Sequence, residues 1–321
     1  RVARRRVSSH RVAQEPSMAA VACIAGPLLL IAGSRWRVEA GGRQASKKAA
    51  AADQEVSAFA ARYEIGKPLG SGTYGKVYRA AGRRCGQEYA VKVVSHTRDA
   101  ENEVSMQIGL EHPHVARMIE SFGEGGKLYM VAEVCNGGEL LEALEDHGRF
   151  LEQEARAAFV QMMSAVAFLH SRAVAHRDVK MENFLLERQD VPLARNTLKL
   201  IDFGFATSFV PGSRCLKTKC GSWGFVAPEV VAGGAYDERC DVYSCGVILH
   251  ALLCDELPFR ETESSAGGCR EIAGEISFGG QDVKRSLTRN ARKLIAWTLA
   301  RSVAERPFAP QVLAAEWIQS P

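Results

Sequence analysis

His176-Arg177-Asp178-Val179-Lys180-Met181-Glu182-Asn183 is the stretch on which the reading of this chain turns. His176, Arg177, Asp178, Lys180 and Asn183 are polar residues held at fixed spacing, in a loop after a helical pattern at 152–171. Further on, Leu198-Lys199-Leu200-Ile201 reads as a strand that ends in Asp202-Phe203-Gly204. An acid at a strand end before glycine is well placed to bind a metal. Asn183 and Asp202 together offer hard oxygen ligands of the kind Mg²⁺ takes when it bridges nucleotide phosphates. Beyond them come Ala227-Pro228-Glu229 and an apolar helix opened by Asp241.

Upstream lies Gly70-Ser71-Gly72-Thr73-Tyr74-Gly75-Lys76-Val77, a G-x-G-x-x-G-x-V loop in which missing side chains let backbone N–H groups approach phosphate oxygens. By itself the motif reads equally as an ordinary glycine turn. A dinucleotide-binding fold would need the third glycine to open a helix. Here strand-like Val77-Tyr78-Arg79-Ala80 follows, then a turn, then Tyr89-Ala90-Val91-Lys92-Val93-Val94, so a hairpin is expected. Lys92 lies on the opposite strand face from Val91 and Val93, within reach of phosphates under the loop. A buried lysine needs a partner, and Glu103 on the next helix supplies a carboxylate. A solvated Lys/Glu pair is the plainer alternative.

The 321 residues, 46% hydrophobic, suffice for a two-lobed domain of about 250 residues plus an extension. The formal net charge is only +4, and Arg1, Arg4, Arg5 and Arg6 supply that much positive charge on their own. No basic stripe interleaved with aromatics runs through the remainder, which argues against a nucleic-acid binder. Nine cysteines, none in a C-x-x-C pair, point to free thiols in a reducing compartment rather than a zinc site or disulfide framework.

Residues 1–62 read as a leader without regular structure, interrupted by an apolar run at 18–33. That run is short of the roughly 20 residues needed to span a bilayer and contains Gly26 and Pro27. It leaves a targeting segment or membrane association open, with Met18 as the first possible initiator. Strands are expected at 63–69, 76–80, 88–94 and 129–134. Helices are expected at 100–110, 139–146, 152–171, 239–254, 288–300 and 309–318. A small β-rich part therefore precedes a larger helical part, with the junction near 135–138.

With these motifs in order, residues 63–318 resemble the eukaryotic protein kinase family. The segments at 133–140 (EVCNGGEL), 199–207 (KLIDFGFAT) and 276–280 (ISFGG) look most like the kinase domains of protist and plant calcium-dependent protein kinases, in the calcium/calmodulin-dependent group. The resemblance implies an α+β, bilobal fold, with a small lobe at 63–134 and a large one at 139–318. It implies transfer of the ATP γ-phosphate, with Mg²⁺, to serine or threonine hydroxyls of protein substrates. Asp178 would accept the hydroxyl proton, Lys180 steady the transferring group, and Lys92, paired with Glu103, hold the α/β-phosphates. Asn183 and Asp202 would ligate Mg²⁺. ATP would lie against Leu69, Gly70, Ser71, Gly72, Thr73, Tyr74 and Gly75. The adenine would sit between Val77 with Ala90 and Leu185, facing backbone groups of Glu133 and Cys135. Ala132 would border the back of that pocket, leaving room for bulky ATP-competitive inhibitors. Glu229 with Arg306, and Asp241, would be structural.

The same likeness marks Thr218 as a phosphorylated activation-segment threonine, paired with Arg177 and served by an upstream kinase. Glu139, Glu182 and Ser222 would contact substrate, the two glutamates favouring basic residues before the target. The expected protein is a cytoplasmic monomer. A pseudokinase scaffold is the alternative, disfavoured because Lys92, Asp178, Asn183 and Asp202 are all present. Met181 stands where the family usually has proline. Gln107 replaces a usually apolar residue, so either the register of its helix is off or packing between the lobes is weakened. No calcium-binding D-x-[DN]-x-[DN]-G-x₅-E loop occurs, so direct calcium control is not expected from this chain.

Overall fold

The computed structural model describes residues 57–72, 75–263, 270–273 and 275–320. The apolar run at 18–33, like Thr73 and Tyr74, lies outside the described residues. Among the described residues no helix is long and apolar enough to cross a membrane.

A short helix α1 (Ala58–Arg62) leads into β1 (Tyr63–Gly72), β2 (Gly75–Gly82) and β3 (Glu88–Ser95). Helix α2 (Arg98–Gln107) and strands β4 (Met118–Glu124) and β5 (Lys127–Glu133) complete the small lobe. The five strands form an antiparallel sheet in the order β1-β2-β3-β5-β4. Gly72 pairs with Gly75 and Ser71 with Lys76, so the glycine motif closes a hairpin and opens no helix. One sheet face buries Val94, Met118, Leu128 and Met130 together with Ala100 of α2. The other buries Tyr63, Ala80, Val91 and Val131 beneath Phe59.

Phe59 corrects the leader reading, since residues 57–62 are folded onto the sheet. Ser57 caps α1 by accepting the Ala60 N–H at 3.0 Å, and its hydroxyl donates to Glu124. The Phe59 ring stacks on Tyr129 with centroids 4.5 Å apart and on Tyr63 at 5.6 Å. The signal in the sequence was a capping serine two residues before a lone aromatic, too short to carry helical periodicity.

The large lobe begins with α3 (Leu140–His147) and α4 (Glu152–Ser171). The short strands β6 (Val174–Ala175), β7 (Phe184–Leu186), β8 (Leu198–Leu200) and β9 (Thr207–Ser208) follow, pairing β6 with β9 and β7 with β8. Then come α5 (Pro228–Ala232) and α6 (Arg239–Cys254), a strand pair β10 (Arg260–Glu263) and β11 (Arg270–Ala273), and helices α7 (Gln281–Ser286) and α8 (Arg289–Thr298). The expected helix at 309–318 divides into α9 (Ala309–Leu313) and α10 (Glu316–Gln319); in the latter, buried Trp317 donates its indole N–H to Glu152 at 2.8 Å. Residues 240–254 of α6 are all buried, as suits a helix apolar on every side.

Replacing Phe59 by alanine empties a site stacked on Tyr63 and Tyr129 and should cost about 3 kcal/mol of unfolding free energy in urea. A loss under about 0.5 kcal/mol, the range of ordinary surface substitutions, would mean that α1 is not docked in solution.

Candidate active site

Strand β3 places Lys92 between Val77 of β2 and Met130 of β5. Helix α2 starts where Thr97 accepts the Ala100 N–H, with Asp99 and Glu101 in its positive first turn. It carries Glu103 inward, where Glu103 Oε1 accepts from Lys92 Nζ at 2.6 Å. The same ammonium reaches Asp202 Oδ1 at 3.0 Å. Burial works to lower the Lys92 pKa, but the charges of Asp202 and Glu103 outweigh it and hold the amine above its ordinary value. Burial pushes the Glu103 carboxyl up, and Lys92 pulls it part of the way back. The register of α2 is the one the Lys92–Glu103 pairing requires.

The loop at 176–183 is fixed from below by Asp241, which is 1% exposed near the start of α6. Its carboxylate accepts the backbone N–H groups of His176 (2.9 Å) and Arg177 (2.8 Å) and meets His170 Nε2 at 2.9 Å. Burial opposes this charge, yet the hydrogen bond and charge of His170 hold the carboxyl below the usual range. Arg177 and Asp202 have φ of 64° and 62°, in the left-handed region uncommon for non-glycine residues. Such local strain persists only where the surroundings over-determine it, and it clusters at active sites.

Asp178 is 3% exposed. Its Oδ1 accepts from the Ser222 hydroxyl at 2.8 Å, and its Oδ2 lies 3.2 Å from Asn183 Nδ2 and 3.3 Å from Lys180 Nζ. Lys180 also donates to the Ser222 oxygen at 2.8 Å. Ser222, expected to contact substrate, is 2% exposed and sits inside this network. Nothing in the spacing of the activation segment foretold that contact, because it closes across 44 residues. Asn183 Nδ2 donates a second bond to the Asp178 carbonyl at 2.8 Å, an orientation that turns the amide oxygen away from these partners. That oxygen and the Asp202 carboxylate are the hard donors the sequence pointed to. Among the described residues no group of three or more His, Cys, Asp or Glu forms a metal cage. The donor set suits Mg²⁺, which uses one or two protein oxygens and fills its shell with phosphate and water.

A cavity of about 460 Å³ opens between the two lobes. Leu69, Gly70, Gly75, Val77 and Ala90 line it on the side of the sheet, and Leu185 and Ile201 on the side of the large lobe. Ala132, Glu133, Cys135 and Glu139 form its edge, and Lys92, Glu103 and Asp202 its depth. A Cβ at position 75 would lie 2.4 Å from the Val93 carbonyl oxygen, so only glycine fits there. The Glu133 carboxylate accepts from Lys199 Nζ at 3.0 Å and from the Arg117 N–H at 2.8 Å. Lys199, buried on β8, escaped the sequence reading as a plain strand residue. Burial pushes the half-buried Cys135 thiol up to about 12, so it is no thiolate at neutral pH.

Thr218 is exposed. Arg177 does not point to open solvent: its Nε donates to the Phe205 carbonyl at 2.8 Å and its Nη1 lies 3.4 Å from the Tyr236 hydroxyl. Tyr236 in turn donates to the Thr218 carbonyl at 2.6 Å, and its backbone pairs with Leu216. Glu229 and Arg306 form a two-pronged pair at 2.5 and 2.9 Å, with Arg306 2% exposed. Glu139 and Glu182 lie near each other: burial first, then the charges of Glu142 and Glu182, raises the Glu139 carboxyl.

A family model described as "Protein kinase domain" matches residues 63–318. Similar proteins include CBL-interacting serine/threonine-protein kinase 1 of Arabidopsis thaliana, 34% identical over 80% of this chain and 58% of that protein. CBL-interacting protein kinase 31 of Oryza sativa subsp. japonica is 34% identical over 85% of this chain and 61% of its own length. Calcium-dependent protein kinase 5 of Plasmodium falciparum (isolate 3D7) is 33% identical, with 80% and 45% covered. The chain thus spans less than two thirds of the length of these relatives. With the two-lobed fold, the cleft and these matches together, the chain belongs to the protein kinase domain family, beside serine/threonine kinases of the calcium/calmodulin-dependent group.

Proposed function

We propose that this chain transfers the γ-phosphoryl group of ATP to serine or threonine hydroxyls of proteins. The observation that carries the reading is a pair of joined clusters: Asp178 bound by Ser222, Lys180 and Asn183, and Lys92 with Glu103 and Asp202 in the depth of the cavity, linked where the Ile201 N–H donates to the Asn183 carbonyl at 2.9 Å. Asp178 orients the substrate hydroxyl and takes its proton. Lys180 sits next to that carboxylate and offsets charge on the group in flight. Lys92 holds phosphate oxygens, and the backbone of the glycine hairpin covers them. Asn183 and Asp202 would hold Mg²⁺, which supplies neutralisation of phosphate charge when bound. Because the reaction is mainly positioning and charge compensation, each of these groups matters. An Asp178→Asn variant should lose roughly 10²–10⁴-fold in kcat toward a serine peptide while still binding ATP. Equal rates in the variant and the parent would remove the catalytic account and leave the scaffold reading.

Glu139 and Glu182 give the substrate side of the cleft a paired negative charge, so the preferred peptides carry arginine or lysine before the target residue. A positional-scanning peptide array is expected to show that bias, and Glu139→Gln with Glu182→Gln to flatten it; an array indifferent to basic residues sinks the proposal.

Thr218 is the proposed regulatory phosphorylation site, exposed on a segment whose carbonyl is already tied through Tyr236 to Arg177. A phosphate there adds charge that an arginine can meet and tightens an existing tether. After treatment with an upstream kinase fraction, Thr218→Ala should gain several-fold less activity than the parent. Identical activation of both proteins would discard the site.

A further inference from the structure

Gln107 occupies the last position of α2, one turn beyond Glu103, and is 6% exposed. Its amide does not weaken the packing at that position. Gln107 Nε2 donates to the Ala116 carbonyl at 2.9 Å, in a buried setting. The Ala116 N–H in turn donates to the Leu200 carbonyl of β8 at 2.9 Å, and the Leu200 N–H donates to the His114 carbonyl at 3.0 Å. One residue further on, the Ile201 N–H donates to the Asn183 carbonyl at 2.9 Å, and Asp202 follows directly. A continuous path of hydrogen bonds and backbone thus runs from the end of α2 to both proposed metal ligands. It is separate from the Lys92 contacts, which join Glu103 to Asp202 through the ammonium.

A methionine or leucine at 107 would fill the space and leave the Ala116 carbonyl buried without this donor. An unmet buried acceptor costs about 1–3 kcal/mol, enough to favour a shifted helix end over the observed one. Glu103 lies one turn back on α2, so the shift would be felt at the Lys92 pair.

We propose that Gln107 is a positioning residue for phosphoryl transfer: its amide fastens α2 to the strand leading to Asp202, so that Glu103, Asn183 and Asp202 keep one mutual geometry. The proposal rests on the kinase reading for its kinetic arm, but its exchange arm does not.

Gln107→Met and Gln107→Glu test it, compared with the parent in thermal melts, amide hydrogen exchange and steady-state kinetics from acidic to alkaline pH. Gln107→Met should stay folded, lose protection both in α2 and at Ala116 and Leu200, and lose about tenfold in kcat with little change in the peptide KM. Gln107→Glu gives the signature that a packing role would not. A neutral carboxylic acid donates to the Ala116 carbonyl as glutamine does, whereas a carboxylate repels it. Its activity should therefore approach that of the parent at low pH and fall as pH rises through the new group's pKa. The other ionisable groups around this contact, Glu103, Lys92, Asp202, His112 and His114, are common to both proteins, so the difference between the two pH profiles belongs to position 107. Superimposable profiles, unchanged protection at Ala116 in Gln107→Met, or a rise confined to the ATP KM would overturn the proposal, the last by making Gln107 a ligand contact. If Gln107→Met does not fold, the Gln107→Glu profile decides alone. If the parent transfers no phosphate, the kinase reading fails and the exchange measurement still judges the tether.

Discussion

A lysine ammonium withdrawn from water has to be met by carboxylates, and the two that meet Lys92 come from different halves of the molecule. Glu103 arrives on a helix of the small lobe, and Asp202 at the end of a strand that belongs to the large one. Leaving either charge alone in the cleft would cost several kcal/mol, so the sheet, α2 and β8 are held to one arrangement by a three-body contact. The nucleotide-sized cavity is the space enclosed by that arrangement.

Beneath it the large lobe supplies a rigid reference. Helix α6 is apolar nearly throughout, and the charge of Asp241 near its start is buried because the loop at 176–177 gives it two backbone N–H groups and His170 adds a third contact. The same loop that satisfies Asp241 thereby carries Asp178 to Ser222, Lys180 and Asn183. Arg177 takes a left-handed backbone conformation to make the turn, and its guanidinium is held by the Phe205 carbonyl and the Tyr236 hydroxyl. Stability of the lobe and aim of the carboxylate are one set of contacts.

Much of this was legible in the residues. The glycine hairpin, Lys92 with Glu103, and the long helices announce themselves by short-range spacing, and α6 was readable from end to end because all its faces are apolar. What stayed hidden depends on contacts between distant segments. Strand β4 mixes polar and apolar residues in Met118-Ile119-Glu120-Ser121-Phe122-Gly123-Glu124, without the apolar run, broken only by Lys92, that marks β3. The pairs β6–β9 and β7–β8 are too short for any period. Ser222 read as a substrate contact and Lys199 as a plain strand lysine; their partners, Asp178 and Glu133, lie 44 and 66 residues away. Gln107 seemed a misfit only because the carbonyl it serves is invisible in a string of letters.

The Glu133–Lys199 pair has a mechanical side. Glu133 ends β5 and begins the connection between the lobes, yet its carboxylate is anchored below to β8 and laterally to the Arg117 N–H. The strap joining the halves is thus riveted at its upper end, and stretching it would pull on the strand that precedes Asp202. The two halves are therefore sprung toward one register, and any opening between them would load β8 and the Arg117 backbone along with the strap.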